Sequence, residues 1–146
     1  MIGFTDSDWG GSETDGKSTT DGCFSLGSAM ITWMSRKQDL VALSSVEAEY
    51  VAACEVGKED VWLRKLLIDL FEKPLDPTVI NCYNQSCIKM SRDPMCHARM
   101  KHINNKFHYI RNLVQDGIVK LQYVLTHDQV ADMLTKSLPN KKFEYL

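Results

Sequence analysis

Thr78-Val79-Ile80-Asn81-Cys82-Tyr83 is a short apolar run that reads as an interior strand, and it stands between two helical stretches. That placement decides the fold class. After it, Asn84 to Ser91 has a helical pattern, which Ser91-Arg92-Asp93-Pro94 breaks because proline cannot continue a helix. Before it lies a long helix whose Ser44-x-x-Glu47 start fits a capping box, each side chain satisfying a free backbone N–H of the other. Leu63, Leu66, Leu67 and Leu70 recur at i, i+3, i+4 and i+7, predicting an apolar stripe laid on a sheet. Lys73-Pro74 closes that helix.

Further out, Met1 to Asp6 reads as a strand that begins without a leader, as a fragment or trimmed chain would. Residues 7–20 are polar and Gly/Ser/Thr-rich, a loop. Asp21-Gly22 reads as a turn. Cys23 to Leu26 and Ala29 to Met34 flank Gly27-Ser28 as a hairpin, so the first three strands form an antiparallel meander. Residues 101–115 carry Ile103, Phe107, Ile110 and Leu113 or Val114 on one side of a second long helix, which Asp116-Gly117 stops. Val119 to Val124 alternates as a strand, and Thr126-x-x-Gln129 caps a last helix over residues 127–136. The order is three strands, helix, strand, two helices, strand, helix. That is one α/β domain over residues 1–146, with helices layered on a mixed sheet. Trp33, Trp62, Phe107 and Tyr109 fall in periodic runs and are expected in the core.

The 146 residues suit a single core, and 44% hydrophobic with 25% charged is ordinary for a globular chain. No apolar run is long enough to span a bilayer, and no secretory pattern opens the chain. The five cysteines are odd in number and lack Cys-x-x-Cys spacing. They predict free thiols in a reducing interior, hence an intracellular protein, cytoplasmic or nuclear, with no membrane partner. A net charge of −2 gives no global pull on nucleic acid. Residues 94–115, however, carry Arg99, Lys101, Lys106 and Arg111 with three histidines and no acid, whereas residues 45–72 are rich in acids. The basic segment can meet phosphates or be a solvated helix face.

Three acids stand in separate contexts: Asp6 at a strand end, Glu49 in a helix, and Asp132 on a partly apolar helical stretch, where Asp is a poor interior residue. Glu47 and Glu49 lie two apart on a helix and point to nearly opposite sides; Glu47 caps, which leaves Glu49 to face the sheet. Asp6 and Asp8 share a face if the strand continues. Singly, Asp6 reads more readily as a loop cap and Asp132 as a solvated residue than as a ligand.

The combination goes further. Gly3-Phe4-Thr5-Asp6-Ser7-Asp8-Trp9, Lys17-Ser18-Thr19, Ser35-Arg36-Lys37-Gln38, Ala42 to Tyr50, Asn84-Gln85-Ser86, Lys101-His102-Ile103, His108-Tyr109-Ile110-Arg111 and Asp128 to Lys136 occur in order. In this series the chain resembles the ribonuclease H domain of a copia-type LTR retrotransposon polyprotein, from Gly3 to about Phe143. The resemblance implies a ribonuclease H-like fold with a five-stranded mixed sheet. It also implies cleavage of the RNA strand of RNA–DNA hybrids with two Mg²⁺ or Mn²⁺ ions, and an upstream reverse transcriptase domain. It places metal-binding carboxylates at Asp6, Glu49, position 83 and Asp132. Asp8, Asn84 and His127 fall in supporting places, His127 at the site mouth or as a solvated cap. Arg99, Lys101, Lys106 and Arg111 become the nucleic-acid contacts.

Position 83 is where the chain departs from that pattern. A phenol is neutral at physiological pH and a poor ligand for a hard cation, which prefers oxygen anions. Tyr83 therefore predicts a folded domain with weak or absent nuclease activity. Compensation would fall to Asp8 or to the Asn84 carbonyl. The alternative is a co-opted, non-catalytic module that binds nucleic acid or a protein partner.

Overall fold

Two strands sit on each side of a central one: a three-strand meander supplies one side, and two strands reached through helices supply the other. The computed structural model describes residues 1–93 and 108–131, the side chain of His127 excepted. The strands are β1 (Ile2–Asp8), β2 (Thr19–Leu26), β3 (Ala29–Lys37), β4 (Thr78–Cys82) and β5 (Val119–Tyr123). The helices are α1 (Ser45–Phe71), α2 (Gln85–Arg92) and α3 (Tyr109–Gln115), followed by a 3₁₀ turn at Thr126–Asp128. The sheet order is β3-β2-β1-β4-β5. β1, β2 and β3 pair antiparallel, and β4 joins β1 and β5 in parallel. This is the five-stranded mixed sheet that the sequence predicts, with β1 at its centre.

Two strands run longer than expected. β1 continues through Ser7 and Asp8, and β2 starts at Thr19. Asp21-Gly22 is therefore no turn: Asp21 is paired with Asp6 on one side and Ser35 on the other, and Gly22 with Thr5 and Met34. A Cβ at position 22 would come within 2.6 Å of Val56 on α1. The glycine marks a close helix approach inside a strand. Gly27, at φ 61°, makes the predicted hairpin turn.

Ser44 caps α1 by accepting from the Glu47 N–H at 3.2 Å, but the returning Glu47 carboxylate takes the Leu43 N–H at 2.7 Å, one residue earlier than a reciprocal box requires. The helix ends at Glu72, in the left-handed region, before Lys73-Pro74 is reached. Its first half is enclosed by the sheet and by α2 and α3. In its second half Leu63 and Leu67 are buried, whereas Leu66 and Leu70 are 48% and 68% exposed, so only half of the expected stripe packs. The 27 residues of α1 make a rod of about 40 Å. Strands of five to nine residues span about 17–30 Å, so the helix outruns the sheet.

The aromatic expectations divide. Trp62 (58% exposed) lies on the overhanging part of α1, and Trp33 (65%) lies on β3, an edge strand; neither is a core residue. Tyr109 packs against the core, to which α3 gives Ile110 and Leu113. Phe107 and Ile103 lie outside the described residues. Residues 126–131 are not α-helical; Gln129 is buried and donates to the Thr5 carbonyl at 2.8 Å instead of capping a helix. The rest of the expected last helix lies outside the described residues. Cys23, Cys54, Cys82 and Cys87 are buried thiols. No described helix is long and apolar enough to cross a membrane.

One buried acid is structural. Asp60 of α1 lies near Thr78 and Arg64, and Arg64 also donates to the Leu75 and Asp76 carbonyls and to Thr78 Oγ1. Burial holds the Asp60 carboxyl above its ordinary value, against the pull of Thr78 and Arg64. A raised folded-state value means that Asp60 favours the fold at low pH and that this contribution is lost as pH rises through that value. Asp60→Asn should accordingly raise the urea midpoint at neutral pH, with the gain vanishing below the ordinary carboxylate range; a gain constant with pH would contradict this. Leu63→Ala and Leu67→Ala should each cost about 2–5 kcal/mol in urea denaturation, and Leu66→Ala and Leu70→Ala within about 0.5 kcal/mol. Equal losses at all four positions would refute the half-packed stripe.

Candidate functional site

β1 carries the site because it is the one strand flanked by an antiparallel and a parallel neighbour. Asp6 is fully buried near its C-terminal end, and Asp8 follows on the same face, half-buried. Ser7 points the other way, toward α1, and there Glu49 meets it. Glu49 Oε1 accepts from the Ser7 backbone N–H at 2.9 Å and from Ser7 Oγ at 2.6 Å. The helix thus fastens its carboxylate to the residue beside Asp6. Glu47 is turned to Leu43, so the two glutamates separate as helix geometry demands.

Tyr83 is the first residue past β4. Phe4 registers with Asn81, and Asp6 and Tyr83 each lie two residues further along their strands. The sequence thus places its departure level with Asp6. Tyr83 is half-buried. Next to it, Asn84 Oδ1 accepts from the Cys87 N–H at 3.0 Å and caps α2, which engages the carbonyl considered for compensation. Cys82 and Cys87 are buried on either side of that cap. The hydrogen bond with Cys82 and burial raise the Cys87 thiol well above its ordinary value, and the charge of Glu49 adds to the effect. Glu49, Cys82 and Cys87 therefore adjoin one another beside position 83.

Sequence reasoning missed Asp21. It is fully buried and directly opposite Asp6 in the antiparallel register, so both carboxylates lie on one face of the sheet. Its Asp-Gly dipeptide imitates a turn; the unbroken run from Thr19 to Leu26 is the signal that could have placed it in a strand. Asp21 stands on the β2 flank of Asp6 and Tyr83 on the β4 flank.

The remaining candidates are only partly in view. Gln129 binds Thr5, and Ala131 is buried, so the segment leading to Asp132 reaches β1 beside Asp6. Asp132 itself lies outside the described residues, as do Arg99, Lys101 and Lys106. His127 has its backbone in the 3₁₀ turn. Arg111 is half-buried and electrostatically linked to Tyr50, whose phenol burial pushes up and Arg111 draws down. Tyr50 also meets His108 Nδ1 at 3.5 Å.

A two-ion centre needs several carboxylates converging on one point. Among the described residues, no group of three His, Cys, Asp or Glu side chains could hold a metal ion. Asp6 and Glu49 are present, one Glu49 oxygen is taken by Ser7, and Tyr83 brings no carboxylate. Of the candidate ligands, Asp6 and Glu49 lie among the described residues and Asp132 does not.

No family model matches the chain. It is 43% identical over 146 residues to the retrovirus-related Pol polyprotein from transposon TNT 1-94 of Nicotiana tabacum, covering 99% of this chain and 11% of that polyprotein. It is 40% identical over 141 residues to that from transposon RE1 of Arabidopsis thaliana, covering 97% of this chain and 10% of that one. The chain thus spans about a tenth of the length of these curated relatives. Among solved structures it is similar to LC11-RNase H1 in complex with an RNA/DNA hybrid, at TM-score 0.60 and 12% identity, over 91% of each chain. It is also similar to RNase H1 from the halophilic archaeon Halobacterium salinarum, at TM-score 0.55 and 10% identity, over 99% of this chain and 98% of that one.

Ser7→Ala keeps the backbone donor to Glu49 and loses the hydroxyl. A hydrogen bond to a carboxylate is worth about 1.5–3 kcal/mol, so the variant should lose that much stability in urea denaturation. An unchanged midpoint would show that the Ser7 hydroxyl does not hold Glu49.

Proposed function

Since the chain belongs to the ribonuclease H-like domains of retrotransposon Pol polyproteins, we propose that it engages RNA–DNA hybrids while cutting their RNA strand weakly or not at all. The observation that carries this is Tyr83, level with Asp6 across the β1–β4 pair, where the family resemblance asks for a metal-binding aspartate. Mg²⁺ or Mn²⁺ would call on Asp6, Glu49 and Asp132, which leaves the charge on the β4 flank missing. A phenol there supplies no fixed anion and occupies more space than a carboxylate. Asp21 does not replace it, because its charge lies across β1 on the β2 flank. Asn84 is spent on its cap. Asp8, Asn84 and His127 then act around the site, and Arg99, Lys101, Lys106 and Arg111 serve as phosphate contacts.

A second reading, a module acting through protein contact, is favoured by Trp62, Leu66 and Leu70. These are spaced four residues apart and exposed on one face of α1, an apolar surface of the kind that contacts use. A neighbouring polyprotein domain, such as a reverse transcriptase, would be its partner. Salt-sensitive hybrid binding, weakened by Lys101→Ala with Lys106→Ala, separates the two readings in favour of the first.

The nuclease claim is tested with end-labelled hybrid and Mg²⁺ or Mn²⁺. Removing one electrostatic stabiliser typically costs about 10²–10³ in rate, so Tyr83→Asp should cleave at least about 100-fold faster than the unaltered chain. Equal rates in the two proteins would overturn the assignment of Tyr83 as the impairing residue.

A further inference from the structure

A basic concavity among the described residues lies where the end of α3 meets α2 and β5. A groove of about 600 Å³ runs between α2, the end of α3 and β5. Its polar lining is Gln85, Lys89, Arg92, Lys120, Gln122 and Tyr123, and no acid lines it. Lys89 and Arg92 come from the last turn of α2 and Lys120 from β5, so two separate elements contribute cations to the lining. The trough has a direction. Tyr123 registers with Cys82, the residue before Tyr83, and Gln85 opens α2 two residues after it. One end of the groove therefore starts beside the candidate site, and the other runs down β5 to Val119, about 13 Å away at strand rise.

β5 is an edge strand, and Arg92 lies over its open side, where one guanidinium nitrogen donates to the Leu121 carbonyl at 3.0 Å. That bond fixes the guanidinium on the groove wall and leaves the other N–H groups of its planar fork pointing elsewhere. A fixed arginine, two lysines, two amides and an exposed tyrosine, set over an apolar floor of Ile88, Val114, Val119 and Leu121, make a lining suited to a regularly spaced polyanion.

We infer that this groove is a phosphate-backbone subsite, taking the strand of a bound RNA–DNA hybrid as it passes away from the Tyr83 side of the site. The inference rests on the reading that the domain engages hybrids, and it adds cations of α2 and β5 to the phosphate contacts. Its contacts are to phosphates, so they contribute affinity and position without sequence preference.

The test is fluorescence anisotropy with a labelled hybrid in EDTA, so that turnover cannot consume the probe, across a potassium chloride series. The proteins are the full chain, Lys89→Ala with Lys120→Ala, and Lys65→Ala with Lys73→Ala as surface cations outside the groove. Arg92 is left in place because it also covers β5. Two lost phosphate contacts lower the salt slope by about two. From about 50 to about 200 mM salt, the unaltered chain should lose about ten-fold more affinity than the groove variant. The control pair should match the unaltered chain. Equal slopes in the groove variant and the unaltered chain would overturn the subsite while leaving hybrid binding intact. An equal fall in the control pair would also overturn it, as an effect of net charge alone. Absence of salt-dependent hybrid binding by the unaltered chain would sink the functional reading itself.

Discussion

Glu49 and Ser7 hold the functional end of this molecule together. One carboxylate oxygen on the first turns of α1 takes both donors of a serine in the central strand, and this sets where the helix crosses the sheet. The same part of the fold is fastened twice more. Gln38 Nε2 donates to Thr20 Oγ1 and to the Ala48 carbonyl, each at 3.0 Å, tying β2 to the next residues of α1. Gln129 reaches the Thr5 carbonyl from the far end of the chain. Buried polar groups are costly unless hydrogen-bonded, so three such clamps on adjacent rows of β1 and β2 fix these elements more narrowly than apolar packing could.

The consequence is a sheet with two unlike ends. Around Thr5, Asp6, Ser7, Thr20, Asp21 and Glu49 the interior is polar and fully enclosed. Around Phe24, Ile80, Ile110 and Leu121 it is apolar. Carboxylates such as Asp6 and Asp21, side by side on one face, oppose folding through like-charge repulsion. A chain selected for stability alone would not place them there, whereas a site that handles phosphates or cations has a use for them.

Much of this was readable from the residues. The strand-like run at Thr78–Cys82 following a long helix gave the α/β class, and a helical rotation of 100° per residue separated Glu47 from Glu49 without coordinates. The errors share a cause: local patterns carry no register and no footprint. Asp21-Gly22 has the composition of a turn, and only the ladders on both sides show it to be strand. Leu66 and Leu70 have the periodicity of core residues, and only the length of the sheet shows that the described strands end short of them. Asp21 as a neighbour of Asp6 was beyond reach, because the pairing of residues 6 and 21 is a fact of register.

Register also explains how position 83 can change while the fold persists. None of the clamps just described passes through it. Glu49 bonds to Ser7, Gln38 to Thr20 and Ala48, Gln129 to Thr5, and the start of α2 is capped by Asn84. β4 ends at Cys82, so residue 83 lies just past the strand ladders. Position 83 thus stands outside these clamps, whereas Glu49 belongs both to a clamp and to the candidate charge set. A change of side chain at that strand end leaves the hydrogen bonds that join α1, β1 and β2 as they are.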